Sequence, residues 1–586
     1  MEERKWSLDA LYTGYDTQGY KDDRKRLEQL VAKLNAFADE LSHEKELETL
    51  KAILTHQSEL AVLARKLGAY ISLRSSVDTT DPITKAEMNG FDKLMSNLSK
   101  TRAKFDHYVA DIDDLEGLIE KDALLSEHAF MLREIKQKSK YLKSDEVEEV
   151  IAKLSLTGGN AWSDLQQHLT STLEVEYRGE KITLSQVRNL AYSNDPKERK
   201  DAYEAELKAY DKIKDSIAFS LNSIKGLVND LCELRGYESP LQMTLSDSRL
   251  KKETLDAMFG AIQKHLPKFR AYLRRKGEVL GHKNGLPWYD MFALLGSASG
   301  EYTIEESRAL LVEQFSTFSS DLVEMIERAY DENWIDFTPR KGKVGGAFCA
   351  NLPFLTQSRI LTNFDGSLSD CVTLAHELGH AYHGQQISVH SPLNTHYTMP
   401  VAETASTFNE TIIMQAAMKR SSTKEEKLML IESTLSDLNQ VVVDIYSRYL
   451  FETEVFDRRN KEFLFPSDLE DIMLRAQKQA YGDGLDPECL HPYMWICKGH
   501  YYSADLNFYN FPYAFGALFA RGLYAAYQKE GESFVPKYRE LLKATTVKTV
   551  EDVAKMADID ITKEAFWLDS LGVVSAMIDE FMELTK

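Results

Sequence analysis

The sequence predicts a predominantly α-helical protein of two lobes, with a small β element beside one helix that carries a metal-binding pattern. Three observations predict it. Apolar residues recur at helical spacing through 22–140 and again through most of 400–586. Between 334 and 364 this periodicity gives way to short strand-like pieces separated by glycine and proline. Directly after them stands His376-Glu377-Leu378-Gly379-His380.

From the start of the chain, amphipathic helices are expected over 22–41, 44–74 and 83–109, joined by short polar turns. Alternating residues from Leu173 to Leu184, on either side of Arg178-Gly179, read as a β-hairpin. The hairpin is taken as the seam between an N-terminal helical lobe, 1–190, and a second domain, 191–586. Asn194 or Asp195 would cap a long helix over 196–234, and another helix is expected over 304–330. Strand-like pieces follow at 334–337, 347–350 and 359–364. The next helix is uninterrupted by proline from 370 to 389, with Ser367 or Ser369 as its cap. Pro400 opens a further helix that carries Glu403 and Glu410.

Composition narrows the function. At 586 residues the chain exceeds one small core. A formal net charge of −21 argues against general binding of nucleic acid or anionic membrane, since both would repel it. Five cysteines, odd in number and without C-x-x-C spacing, suit a reducing compartment without structural disulfides. Neither a secretion-type apolar leader nor an apolar run of about 18 residues is present, so a cytoplasmic protein is the simplest reading.

The H-E-x-x-H spacing carries chemistry. Four helical residues turn through about 400°, which leaves His376 and His380 about 40° apart on one face and about 6 Å apart along the axis. Two imidazoles so placed chelate one zinc ion at about 2.0–2.1 Å. Glu377 sits about 100° around the helix, where it reaches a metal-bound water rather than the metal. A third ligand is still needed. Glu403 and Glu410 are seven residues apart and share a face of one helix; one can ligate while the other orients a histidine. His383, one turn beyond His380, reads equally well as a metal-site neighbour or a structural histidine. Asp370 reads as a helix-start residue favoured by the dipole. Gly345-Gly346 lacks the P-loop pattern. It reads instead as a turn before a short strand, so that Gly346 and Ala347 offer an edge for an extended peptide.

Taken together, Gly345-Gly-Ala-Phe-Cys349, Ile360-Leu-Thr-Asn-Phe-Asp-Gly366, Thr373 to His383 and Ala402-Glu-Thr-Ala-Ser-Thr-Phe-Asn-Glu410 resemble the oligoendopeptidase F family. These are zinc oligopeptidases related to thimet oligopeptidase. Trp6 to Tyr12 and Asn507 to Gly516 extend the resemblance over nearly the whole chain. It implies one zinc per chain held by His376, His380 and Glu403, with Glu377 as general base, in a deep channel between two lobes. By the same resemblance His500 and Tyr513 stabilise the transition state, and Tyr509 binds substrate. Their spacing departs from the thimet type, which has a tyrosine where this chain has Gly516.

The expected function is therefore a zinc-dependent endopeptidase acting on oligopeptides. The alternatives are an exopeptidase of dipeptidyl carboxypeptidase type on the same scaffold, or a catalytically silent peptide-binding protein.

Overall fold

The computed structural model describes residues 4–296 and 301–586. The fold is predominantly helical, with two small sheets among the described residues. In the first, β1 (Glu174–Tyr177) pairs antiparallel with β2 (Glu180–Thr183). Arg178 and Gly179 between them have φ of 49° and 86°. A two-residue turn that follows the right-handed twist of its strands needs positive φ at both positions, so the hairpin stands where the sequence placed it.

The second sheet consists of β3 (Ile335–Asp336), β4 (Phe348–Leu352) and β5 (Gln357–Leu361) in the order β3-β5-β4. β3 runs parallel to β5, and β4 antiparallel to it. This sheet lies between the two halves of the molecule. Leu352 and Leu361 join an N-terminal core built on Trp6, Leu27, Leu67, Tyr70 and Phe105. Ile360 joins the large core of the remainder. Successive strand residues point to opposite faces, so one short strand serves both cores. A third core unites Leu173, Val175 and Val187 with Ile217, Leu221, Phe451 and Trp495. Residues on both sides of position 190 contribute to it.

Three expected helices are interrupted: 83–109 divides into Pro82–Ser96 and Ser99–Ala110, and two longer segments break as well. The segment after Asp195, which does cap it through Lys197 N, divides into Pro196–Tyr210 and Lys214–Arg235. Tyr210 and Ile213 are both held in the third core, and Ile213 N bonds back to Tyr210 O at 3.0 Å in a tight turn. The segment 304–330 divides into Ile304–Phe315 and Ser320–Asp331. There Phe318 packs against Phe408, Tyr527 and Tyr538, with ring centroids 5.0–5.6 Å apart. Burial of these anchors outweighs continuation of helical periodicity. Among the described residues no helix is long and apolar enough to cross a membrane.

Candidate active site

Helix Leu368–Ile387 carries the H-E-x-x-H segment, and its start is fixed by a capping box. Ser367 Oγ accepts from Asp370 N at 3.1 Å, and Asp370 Oδ2 accepts from Ser367 N at 3.0 Å. The same Oδ2 takes the N–H groups of Asp365 and Gly366, both at 3.1 Å. Asp370 therefore ties the loop leaving β5 to the helix.

Gly379, inside the motif, decides how closely the next helix approaches. A Cβ there would lie 2.5 Å from Ala405 O and 2.6 Å from Ser406 Cα. Only glycine permits this crossing. The crossing brings Glu403, just ahead of helix Thr404–Arg420, under the two histidines. Glu403 itself is not within a continuous helix. It joins the short turn Met399–Ala402 to the following helix with φ −91° and ψ 9°. The expectation that Glu403 and Glu410 share one helical face is corrected accordingly, yet both carboxylates reach His376.

His376 Nε2 and His380 Nε2 are 3.2 Å apart, and each is 3.3 Å from Glu403 Oε2. Four ligands at about 2.0–2.1 Å in a tetrahedron lie roughly 3.3–3.4 Å from one another. The three donors thus have the spacing of one face of a zinc tetrahedron, and they are of the types zinc takes. On the far side of the ring, His376 Nδ1 lies 2.7 Å from Glu410 Oε1. That bond puts the ring hydrogen on Nδ1 and leaves the Nε2 lone pair facing the site. Ser406 Oγ donates to Glu403 Oε2 at 2.7 Å, which steadies the carboxylate.

Charges follow from these contacts. Burial opposes a charge on His376, but Glu403 and Glu410 outweigh it and push the imidazole up to about 10. Burial likewise opposes the Glu403 carboxylate, and the two histidines hold it well below the usual carboxylate range. A cation placed among the three donors would take over the proton's part. Glu377 is 5 % exposed, and its Oε2 has no partner. Burial raises its pKa, partly offset by the neighbouring histidines.

A second wall is aromatic. His500, on the single turn Gly499–Tyr502, lies edge-on to Tyr509 with centroids 5.0 Å apart and stacks on Tyr513 at 6.0 Å. Tyr509 and Tyr513 meet at 5.5 Å. Burial raises the Tyr513 pKa, with further contributions from a bond to Tyr509 and from the charge of Glu403. Tyr501 and Tyr502 are core residues, fully buried.

Sequence reasoning missed Asn351 in β4. Its Nδ2 donates to His380 O at 3.2 Å, and its Oδ1 accepts from Ser358 Oγ at 2.8 Å. A Cβ on Gly384 would overlap this side chain. Asn351 therefore locks the outer strand to the helix of the motif. Nothing in the local pattern marks it, because its partners are remote in sequence. Gly346, with φ 77°, and Ala347 precede the same strand, and Asn363 Nδ2 holds Gly346 O at 2.8 Å.

Comparison with known proteins decides the family. The sequence matches Peptidase family M3 over residues 189–573, about two thirds of its length. The chain belongs to peptidase family M3. The N-terminal half matches the Peptidase M3 N-terminal domain over 18–139 and Oligopeptidase F over 110–174. Oligopeptidase PepF of Bacillus subtilis is 24 % identical over 595 aligned residues, covering 99 % of this chain and 87 % of that protein. The structure of oligoendopeptidase F from Enterococcus faecium superposes with a TM-score of 0.71 at 19 % identity, covering 97 % of this chain and 99 % of that one. A structure from Chlamydophila abortus, described provisionally as a peptidase, superposes at 0.84 with 20 % identity, covering 99 % of this chain and 98 % of that one. At these identities the likeness shows a common helical metallopeptidase fold.

Two positions of this M3 peptidase find a physical account in its packing. A Cβ on Gly516 would lie 3.1 Å from Glu403 Cβ, so glycine lets the helix of Tyr513 pack closely against the glutamate. His383 is fully buried, stacks on Tyr397 at 4.4 Å and lies 2.8 Å from Thr545 Oγ1 through Nε2. Burial lowers its pKa to about 3, and it is a neutral core residue.

Proposed function

We propose that this M3 peptidase is a zinc-dependent endopeptidase that hydrolyses internal bonds of short peptides. The observation that carries the reading is the triangle of His376, His380 and Glu403 donors at zinc spacing, with the partnerless carboxylate of Glu377 beside it. Zinc bound there would supply a Lewis acid and a water acidified toward neutral pH. Glu377 accepts the proton of the attacking water and returns it to the leaving amine. Glu410 keeps His376 in the tautomer that ligates. The outer edge of β4, entered through Gly346 and Ala347, pairs with the extended substrate, and the Asn351 link fixes that edge relative to His380. His500 or Tyr513 donates to the carbonyl oxygen as charge develops, while Tyr509 holds the substrate. Relatives named oligopeptidase and oligoendopeptidase support short peptides as the substrate class.

The test is an internally quenched peptide with both ends blocked, run beside elemental analysis. The expected result is cleavage by protein holding one zinc per chain, loss of activity with a chelator, and recovery on adding zinc. Active protein devoid of metal would sink the mechanism. Cleavage only of peptides with a free end would make the enzyme an exopeptidase, and binding without turnover would make it a silent binding protein.

The aromatic wall yields a prediction of its own. Tyr513→Phe keeps the ring and removes the donor, and turnover is expected to fall roughly 10²-fold, with zinc content unchanged. His500→Ala should give a comparable loss, while Tyr509→Phe should act mainly on KM. Unaltered turnover in Tyr513→Phe beside a crippled Tyr509→Phe would reverse the two assignments.

A further inference from the structure

Between His500 and the helix Phe511–Glu530 that carries Tyr513, the chain passes through a loop whose conformation is strained. Phe508, the residue before Tyr509, has φ 51°. An L-residue with a large side chain rarely occupies this region and stays there only where its surroundings over-determine it.

The surroundings here are a buried ion pair. Lys225, on helix Lys214–Arg235, and Glu452, on helix Ile445–Arg459, both have side chains with 0 % exposure. Lys225 Nζ donates to Glu452 Oε1 at 2.7 Å and to Asn507 Oδ1 at 3.1 Å. Glu452 Oε1 also accepts the backbone N–H of Phe508 at 3.2 Å, and Oε2 accepts from Asn510 Nδ2 at 3.2 Å. Thr244 Oγ1 adds a bond to Asn507 O at 3.0 Å. The Phe508 ring is 3 % exposed and stacks on Phe456 at 5.4 Å. One carboxylate and one ammonium thus fasten residues 507, 508 and 510, on both sides of Tyr509. Burial lowers the His500 pKa, with only a small opposing contribution from Asn510, whose carbonyl accepts the N–H of Tyr513 at 3.1 Å.

Stability alone is a weak reason for such a pair. Taking both charges out of water is expensive, and a well-packed apolar pair of similar volume is often as stable or more so. What an apolar pair lacks is direction. It offers no acceptor for the Phe508 N–H and no partner for the Asn507 and Asn510 amides.

The geometry points to Lys225 and Glu452 as positioning residues that set Tyr509 against the substrate. The inference rests on the proposed part of Tyr509 in peptide hydrolysis. Neither member of the pair touches the reacting atoms; they act through the loop.

The test compares two replacements of the pair, Lys225→Met with Glu452→Leu and Lys225→Met with Glu452→Gln. The first removes both charges and every directed bond that the pair makes to the loop. The second keeps a neutral acceptor for the Phe508 N–H. Both are read by Tm, zinc content, kcat and KM on the blocked peptide, beside Tyr509→Phe and His500→Ala in the unsubstituted chain. Zinc content is expected to stay close to that of the parent, and Tm to fall more for the apolar pair, which leaves the Phe508 N–H without its acceptor, than for the Gln pair. The apolar pair should lower kcat/KM by about 10–10²-fold, the scale of a small misplacement of binding groups, and the Gln pair by less. Introduced into Tyr509→Phe, the apolar pair should add little further loss, because both changes disable one unit.

A folded apolar-pair variant with parental kcat/KM would overturn the inference, as would fully additive loss in the Tyr509→Phe background. Should the apolar pair not fold, the Gln pair is read alone: reduced kcat/KM at parental zinc content supports the inference, and parental kcat/KM overturns it. If Tyr509→Phe and His500→Ala by themselves leave kcat and KM unchanged, the reading of the aromatic wall fails instead.

Discussion

Replacing Glu377 by glutamine is expected to lower turnover by on the order of 10²–10⁴-fold, the usual range for a lost general acid–base group. Zinc content should stay that of the parent chain. The two halves of this expectation have separate grounds. Glu377 is not among the three side chains whose donors converge, so its loss leaves the metal triangle whole. Its Oε2 is buried and partnerless, so an amide of the same shape removes no structural bond from that atom. What glutamine cannot do is accept a proton. Burial raises the carboxyl pKa above its ordinary value, which makes the carboxylate a stronger base than an exposed one. The check is steady-state kinetics on the blocked peptide with zinc measured on the same preparation. Near-parental turnover in Glu377→Gln would mean that another group activates the water.

How much of this was legible in the sequence depends on how local each cause is. The H-E-x-x-H helix, its Ser367 cap and the Arg178-Gly179 hairpin are set by neighbours a few residues away, and each stands as expected. The three strand-like pieces before the motif also stand, within three residues of their expected limits. The helix breaks near Ile213 and Phe318 are set by anchors in remote parts of the chain, and periodicity carries no trace of them. The same holds within the site. Gly379 was an unread letter of the motif until the approach of Ala405 gave it a purpose. Asn351 binds His380 O from a different element, and Lys225 meets Glu452 from 227 positions away. Spacing shows which side chains one helix presents. It does not show which helix will be brought against them.

The largest effect on the metal itself is expected from Glu403, and its contrast with Glu410 makes the assignment decisive. Both carboxylates contact His376, but at opposite nitrogens. Glu403 Oε2 faces Nε2 of both histidines at 3.3 Å, whereas Glu410 Oε1 meets only Nδ1 of His376 at 2.7 Å. Removing Glu410 leaves all three donors in place and frees one ring to rotate. Glu410→Ala should therefore weaken metal affinity by about 10–100-fold, as expected for an outer partner of a ligating histidine, and added zinc should restore turnover. Removing Glu403 takes away one of the three proposed protein ligands and would leave a two-histidine site, short of the three ligands typical of catalytic zinc. Glu403→Ala should lose more than about 100-fold in affinity, beyond that outer-partner range. It should be isolated without stoichiometric zinc, and added zinc should not recover turnover. Zinc titration of the two chelator-treated variants, each followed by the blocked-peptide assay, measures both quantities. If Glu410→Ala lost its metal while Glu403→Ala kept it, the two glutamates would have to exchange places in the mechanism.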